Sequence, residues 1–397
     1  TGAASWDTTV KTGDFTAVSG VGYFVNTTSG EIDVTLPAGS PGAVVAVKDY
    51  AKTWDTNNCI IISNGSEKIG GSTNNATLST EGLAVTFIYI DSTQGWLVTD
   101  DGNQNVAVTN PFIEATGGTE TTSGNCKIHT FTGPGTFSVT KLASCSANNI
   151  ISHMVVAGGG GGGAVAGGSY AAGGGGAGGF REVKSPITPY TASPLDGYPS
   201  APNRVTVTVT DFPITVGGGG AAGPNSSGTI KGTSGANSIF STITSAGGGG
   251  GGAGANPASP GANGGSGGGS GGFDTPYGCG SGGTGNTPPV TPSQGNNGGI
   301  GTAGHAPGGG GGGATTAGTN SSPGTSNPRA GGTGAATSIT ASPVTYSAGG
   351  PSGNYPGTPA PNASDNTGNG GGGGGGNSPG TSGNGGSGIV VIRYKFQ

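Results

Sequence analysis

Long glycine runs interrupt the last two thirds of this chain. Uninterrupted tracts occupy residues 158–163, 217–220, 247–252, 308–313 and 370–376, and glycine accounts for 94 of the 397 residues. Such a run is a poor α-helix and a poor strand, because glycine loses more backbone entropy on ordering than any other residue. Two interpretations remain, a flexible linker and a glycine helix of the polyproline II type.

The arrangement of the tracts favours the helix. The tracts are similar in length, and strand-like residues lead directly into several of them, as at 154–157, 213–216 and 243–246. A glycine helix has about three residues per turn and no internal hydrogen bonds, so its N–H and C=O groups must pair with neighbouring helices. Only glycine allows that close approach. The pattern therefore predicts a bundle of polyglycine II helices carried by a framework of strands.

The chain ends in a strand-like segment, residues 388–396, which a disordered tail would not require. Apolar residues alternate there with the charged residues Arg393 and Lys395. Successive side chains of a strand point to opposite faces, so the pattern predicts one buried face and one solvent-exposed face. The apolar members are Val390, Ile392, Tyr394 and Phe396.

Residues 1–102 have an ordinary composition and are predicted to be all-β. Short runs rich in β-branched and aromatic residues alternate with turns of Gly, Asn, Asp and Ser, as in a sandwich or barrel. The runs occupy residues 22–25, 32–36, 43–47, 59–62, 83–90 and 96–98. We predict a β-sandwich-like domain over 1–102 with Trp54 and Trp96 in its core. A linker or interdomain strand over 103–125 and a glycine-rich domain over 126–397, with a β-framework, complete an all-β chain.

The charge distribution argues against nucleic acid as a partner. Residues 1–120 contain 13 Asp and Glu and 4 Lys and Arg, whereas residues 121–397 contain 5 and 9. Nine cations spread over 277 residues cannot form the basic stripe that nucleic-acid binding requires. No stretch of about 18 apolar residues occurs either, so we expect no membrane insertion.

Cysteine and histidine are too sparse to indicate a metal site. Cys126 and Cys145 flank a hairpin-like segment, so a disulfide between them is one alternative. We favour buried free thiols for all the cysteines. His129 and His153 lie in strand-like runs and are expected to be framework residues with hydrogen-bond partners. We expect no metal and no cofactor. The remaining cysteines and histidine are Cys59, Cys279 and His305.

Catalysis is not indicated by any motif. No Gly-Lys dipeptide occurs, which excludes a Walker A loop. A depolymerase would need two carboxylates in a groove, and acids are scarce in the glycine-rich part. They are Glu182, Asp196, Asp211, Asp274 and Asp365. We therefore predict that the chain is not an enzyme.

Tyrosines in the Gly-, Pro- and Ser-rich loops are the candidate binding residues. Rigid aromatic side chains on loops provide contact area at a small entropic cost. The alternative is that each ring fills a gap between a loop and the bundle. The candidate receptor-binding residues are Tyr190, Tyr198, Tyr277, Tyr346 and Tyr355.

Several stretches carry a resemblance to a known family. They are His129–Phe131, Val155–Ala157 with the tract that follows, Gly178–Glu182, Ile214–Gly217 and the closing Gly385–Tyr394. Together they resemble a glycine-rich domain of bacterial surface proteins and phage structural proteins, over about 270 residues. The framework is similar to the glycine-rich region of anaplastic lymphoma kinase-type receptors. It also resembles the polyglycine-helix adhesins of T-even-like phage tail fibres, in which loops between tracts contact the host.

The N-terminal part resembles β-domains of marine phage virion proteins. The residues that carry this resemblance are Trp6, Gly22–Val25, Leu36, Pro37 and Gly95–Val98. Together the two resemblances imply an extracellular virion protein, a tail fibre or adhesin that binds a host surface glycan or protein through its loops. A capsid decoration, head fibre or filament-forming subunit is the alternative. They also imply other virion proteins as partners and a homo-oligomer, for which we expect a trimer.

Overall fold

A computed structural model describes residues 5–99, 112–165, 170–224, 230–255, 258–272, 280–302, 307–324, 326–376 and 381–397. The chain divides into two compact units, Thr1–Pro111 and Phe112–Gln397, here called the N-terminal unit and the glycine-rich unit. The described residues are all-β, with short 3-10 turns at Ser146–Asn148 and Ala201–Asn203. None of their helices is long and apolar enough to cross a membrane.

Nine strands lie in the described part of the N-terminal unit, residues 5–99. They are β1 (Ser5–Lys11), β2 (Phe15–Thr16), β3 (Val21–Val25), β4 (Ile32–Thr35), β5 (Val44–Asp49), β6 (Cys59–Ile62), β7 (Ala76–Leu78), β8 (Ala84–Asp91) and β9 (Gly95–Val98). Sheet A has the order β1-β3-β5-β8-β9, and sheet B has the order β2-β4-β6-β7. The first six strands alternate between the two sheets, and within each sheet these strands pair in parallel. The chain therefore passes back and forth between sheets A and B, as in a short β-solenoid.

One hydrophobic core lies between sheets A and B. Alternate residues of every run point into it, and Trp54 and Trp96 are fully buried there, as predicted. The six predicted runs coincide with strands β3 to β6, β8 and β9. The remaining strands were missed because they are short or, like β1, carry polar residues at most positions.

Among the residues described for the glycine-rich unit, twelve strands form the framework. They are β10 (Glu114–Thr116), β11 (Thr119–Ser123), β12 (Cys126–Phe131), β13 (Gly135–Lys141), β14 (Ser152–Val156), β15 (Phe180–Val183), β16 (Asp211–Thr215), β17 (Ser238–Phe240), β18 (Ile243–Ser245), β19 (Ala335–Thr337), β20 (Val344–Tyr346) and β21 (Ile389–Lys395). Sheet C has the order β10-β13-β16-β17-β18, sheet D has the order β11-β12-β21-β14-β15, and β19 pairs with β20. The described part of the expected linker, 112–125, thus contains β10 and β11.

Strand β21 lies in the middle of sheet D and is buried on both faces. Its apolar residues Val390, Ile392 and Tyr394 join the core that also includes strands of sheet C. The opposite face was expected to meet solvent, and that expectation is wrong for Arg393, which is 2% exposed. Residues far away in the chain cover it, since its guanidinium donates to the carbonyls of Ile339 (3.2 Å) and Pro189 (3.0 Å).

The glycine tracts form the predicted bundle, and the central segment, residues 157–164, shows its geometry. Its N–H groups donate in a three-residue cycle to three neighbouring segments, those around 173–179, 230–236 and 383–386. Its carbonyls accept in the same cycle from three further segments, around 220–223, 248–254 and 371–374. A period of three is that of a polyglycine II helix. Every backbone polar group of the segment interior is therefore paired by a neighbour rather than by its own helix.

Close packing around the central segment leaves no room for a side chain at its glycines. A Cβ built on Gly161 of the central segment would overlap the carbonyl oxygen of Ala221, and Gly158 to Gly163 all meet neighbouring carbonyls in this way. At the edge of the bundle the situation differs. Gly218 is exposed, and a Cβ there would have no heavy atom within 4 Å.

Alanine substitution at two tract positions tests this packing. We expect Gly161→Ala to destabilise the protein by about 1–3 kcal/mol or more, because the methyl group forces neighbouring backbones apart. The matched variant Gly218→Ala should change stability by less than about 0.5 kcal/mol. Thermal unfolding followed by circular dichroism measures both. Equal effects of the two substitutions would show that the tracts are not close-packed.

Candidate functional site

The long loop at 185–204, which follows β15, is held by buried polar side chains. Glu182 of β15 is 2% exposed, and its carboxylate accepts hydrogen bonds from the Ser193 N–H (2.8 Å) and the Thr337 hydroxyl (2.5 Å). Burial raises the pKa of Glu182, and these hydrogen bonds oppose that rise. The 185–204 loop is therefore fixed at its centre by a carboxylate of the framework.

Asp196 and Asn203 fix the second half of the loop. Asp196 accepts from the backbone N–H groups of Lys184 (3.0 Å) and Tyr198 (2.9 Å). The Asn203 amide accepts from Arg181 (2.7 Å) and donates to the carbonyl of Thr291 (2.9 Å). The last contact joins the loop to a second loop, residues 288–292, here called the proline-rich loop. Side chains locked in this way suit a preorganised binding surface.

Tyr198 and Arg204 form a stacked pair on this fixed loop, here called the Tyr198–Arg204 patch. The guanidinium carbon of Arg204 lies 4.3 Å from the ring centroid of Tyr198, and its Nε donates to the Tyr198 carbonyl (2.8 Å). Tyr198 is half-buried, whereas Arg204 and the adjoining Pro199 are exposed. The patch therefore offers a planar cation, the accessible part of an aromatic ring and a proline ring to a ligand.

Tyr190 and Tyr346 do not join this patch. Tyr346 lies in strand β20, not in a loop, and is 4% exposed in a core cluster. Tyr190 is half-buried against the same cluster, with the Arg393 guanidinium 5.3 Å and the Lys184 ammonium 5.8 Å from its ring centroid. Tyr355 is half-buried elsewhere, and Tyr277 lies outside the described residues. The environments of Tyr190 and Tyr346 favour a packing role.

Sequence reasoning missed Arg204 and the loop anchors. A signal was present, because two of the five acids of residues 121–397, Glu182 and Asp196, fall at this loop. From the sequence alone, both are candidates only for a pair of catalytic carboxylates. In the structure Glu182 accepts from loop and framework groups, and Asp196 accepts from two backbone N–H groups.

Histidines and cysteines differ in part from expectation. His129 has the expected partners, the Gly117 carbonyl at Nδ1 (2.6 Å) and the Tyr394 hydroxyl at Nε2 (3.0 Å). His153 is buried, but neither ring nitrogen has a hydrogen-bond partner among the described residues. Cys59, Cys126 and Cys145 are free thiols, so the Cys126–Cys145 bridge is absent. Cys145 is exposed, which corrects the expectation that it is buried, and Cys279 lies outside the described residues.

Metal ligands do not converge in the described part of the chain, where no group of three His, Cys, Asp or Glu could hold an ion.

What the geometry defines is an all-β scaffold of glycine helices with a fixed loop at its surface. A protein-family model described as a glycine-rich domain matches residues 130–395, about two thirds of the chain. The chain belongs to this glycine-rich domain family. No curated protein matches it.

The buried His153 makes stability depend on pH. Burial, and secondarily the charge of Arg181, lowers its pKa to about 3 from 6.5. The unfolded state therefore binds the proton more readily, and stability falls as the pH drops from about 6.5 to 3. We expect a loss of at most roughly 1.4 kcal/mol per pH unit in this window.

Urea unfolding of the wild type and His153→Phe across pH 3–7 measures this contribution. The variant should lose less stability on acidification, because Phe cannot take up a proton. Glu182, on the other face of sheet D, also has a raised pKa and adds its own pH dependence in both proteins, so the difference between the two proteins is the quantity to compare. If the stability of the two proteins falls by the same amount on acidification, the pH dependence does not come from His153.

Proposed function

We propose that this chain is a phage structural protein, a tail fibre or adhesin of the virion, that binds a surface glycan of the host through the Tyr198–Arg204 patch. The supporting observation is the fixed 185–204 loop, which presents a stacked tyrosine and arginine at the surface. Binding residues are commonly placed on loops of a rigid scaffold. The bundle supplies that scaffold, because its interior backbone groups are paired with one another.

The chemistry of the patch favours a glycan. An aromatic face packs against the apolar face of a sugar ring, and a guanidinium donates to hydroxyl or carboxylate oxygens in a fixed geometry. Both side chains lose little freedom on binding, because the ring and the guanidinium are already stacked and Arg204 Nε is already hydrogen-bonded to the loop. A host protein is the competing receptor and requires the same patch.

An array of bacterial lipopolysaccharides and capsular polysaccharides, probed with the full chain, tests this proposal. We expect Tyr198→Ala and Arg204→Ala each to weaken binding about 10-fold or more, as truncation of central Tyr and Arg contacts does. Tyr50→Ala is the matched control, since Tyr50 is 57% exposed in the other unit, and it should bind like the wild type.

Other outcomes are equally informative. If Tyr198→Ala binds a glycan as tightly as the wild type does, the Tyr198–Arg204 patch is not the binding site for that glycan. Binding to host cells without binding to any arrayed glycan would indicate a protein receptor. Shortened polysaccharide after incubation would indicate an enzyme.

A structural subunit is the second candidate, and the outward face of sheet A favours it. Strands buried on both faces read as nearly continuous apolar runs, and β3, β5 and β8 do so. Their inward residues fill the core, yet their outward residues are also mostly apolar. The outward set is Trp6, Phe24, Val44, Ala46, Lys48, Thr86, Ile88, Ile90 and Leu97. Trp6 and Ile90 are 43% and 44% exposed.

Charge favours a second copy of this chain as the occupant of that face. Residues 1–111 contain eleven Asp and Glu and four Lys and Arg, so two copies repel each other over most of the unit. Acids gather at sheet B, where burial together with neighbouring carboxylates raises the pKa of Glu31 and Asp33. The charged member of the outward set on sheet A is Lys48, which donates to the Gly82 carbonyl. Self-association through sheet A would therefore keep the carboxylates at sheet B of one copy away from those of the other copy.

Size-exclusion chromatography with light scattering tests this association. We expect the wild type to be oligomeric and Ile90→Glu to weaken the association about 10-fold or more, because the carboxylate is desolvated in every copy. Val18→Glu is the control, since Val18 is 60% exposed outside both sheets. A monomeric wild type, or equal effects of the two variants, would contradict the interface.

A further inference from the structure

His153 of β14 is the buried polar group whose environment is least explained by the protein alone. Its side chain is 1% exposed, and both ring nitrogens lack a hydrogen-bond partner among the described residues. A neutral imidazole carries one donor and one acceptor, and buried polar groups of this kind are almost always paired. The ring packs edge-on to Phe240 at 5.6 Å, which satisfies neither nitrogen.

A small cavity adjoins the ring. Its lining includes His153, Arg181, Glu182, Gly197, Asn203 and Pro292. The space accommodates roughly one water molecule. The Glu182 carboxylate lies on the other face of sheet D, with Met154. The polar lining includes Arg181 and Asn203, whose side chains are hydrogen-bonded to each other (2.7 Å), and a cavity needs such polar partners to hold water rather than stay dry. Three of these residues, Gly197, Asn203 and Pro292, belong to the two loops described above.

We propose that one ordered water molecule occupies this cavity, hydrogen-bonded to a ring nitrogen of His153 and to a polar atom of the 185–204 loop. Water fits this position because it donates and accepts at once and so can pair with either tautomer of the imidazole. A cation does not fit, since Arg181 already supplies a positive charge at the cavity. A larger ligand does not fit the volume.

Ser152 of β14 holds the start of the loop, because its hydroxyl accepts from the Ser185 N–H (2.8 Å) and pairs with the Thr188 hydroxyl (2.5 Å). The water would attach the second half of the loop to β14, which the hydrogen bonds among the described residues do not. Glu182 and Asn203 tie the loop to β15 and to its proline-rich neighbour. His153 lies on β14, one strand further into sheet D. A bridging water would therefore connect the half of the loop that carries Tyr198 to an inner strand of the framework. This attachment is independent of whether the loop binds a glycan.

A crystal structure of the full chain at about 1.5 Å resolution, a resolution at which buried waters are well defined, tests the proposal. We expect a density peak within hydrogen-bond distance of a His153 ring nitrogen and of an atom in residues 185–204. A dry cavity would overturn the proposal, and so would a ring nitrogen paired directly with protein. A water that contacts His153 but no loop atom would overturn the link to the loop.

Two variants sharpen the result. His153→Phe removes the ring nitrogens at similar size, so the peak should disappear, and amide hydrogen exchange in residues 193–204 should become faster. Met154→Leu is the control, because Met154 is the next residue on β14 and packs in the cluster on the other side of sheet D. It should keep both the water and the wild-type exchange. Unchanged exchange in His153→Phe would contradict the attachment, and the wild-type density remains decisive if that variant does not fold.

Discussion

Hydrogen bonding between glycine helices is the interaction on which the glycine-rich unit depends. A residue in the central segment 157–164 has no partner in its own helix, so its N–H and C=O must meet neighbours that come from distant parts of the chain. Gly159 donates to Gly386, and Ala164 donates to Ile230. No segment is satisfied until its neighbours are in place, which makes the bundle a cooperative unit of long-range contacts. The strands supply the starting point, because β14 and β18 set the direction in which 157–164 and 246–254 leave the sheets.

This saturation determines where function can reside. In the central segment the backbone groups are paired and side chains are excluded, so neither is available to a ligand. The proposed recognition therefore uses a loop outside the central segment, and a loop without supporting contacts would lose entropy on binding. The 185–204 loop avoids much of that loss through Glu182, Asp196 and Asn203. The scarcity of acids in this unit makes their concentration at one loop more informative than their number.

Strands can be predicted from the sequence where a local signal marks them. The environment of a side chain cannot be predicted where residues distant in the chain determine it. Strands that run into glycine tracts, such as β14, were recognisable because an apolar run stops abruptly at glycine. Strand β1 was not, because an edge strand with Trp6 as its large apolar residue shows no periodic pattern. The alternation of apolar and charged residues in β21 predicts that Arg393 is exposed to solvent. In the structure, carbonyl groups 54 and 204 positions away in the sequence accept its hydrogen bonds and cover it. The stacking of Tyr198 with Arg204 depends on a 3-10 turn between them, which composition does not reveal.

The two candidate surfaces, sheet A and the Tyr198–Arg204 patch, reinforce each other. One stacked pair on one loop presents a small contact area, and small contacts bind weakly because association costs several kcal/mol of lost freedom. Linked copies convert later binding events into intramolecular ones and can raise the overall affinity by about 10² to 10⁴. A unit that self-associates through an apolar sheet, attached to a unit that carries one modest binding patch, is therefore an economical route to tight attachment. The proposed oligomerisation and the proposed receptor binding would then be parts of one function, and a variant that abolishes the first should also weaken the second on a multivalent surface while leaving binding to a single soluble glycan unchanged.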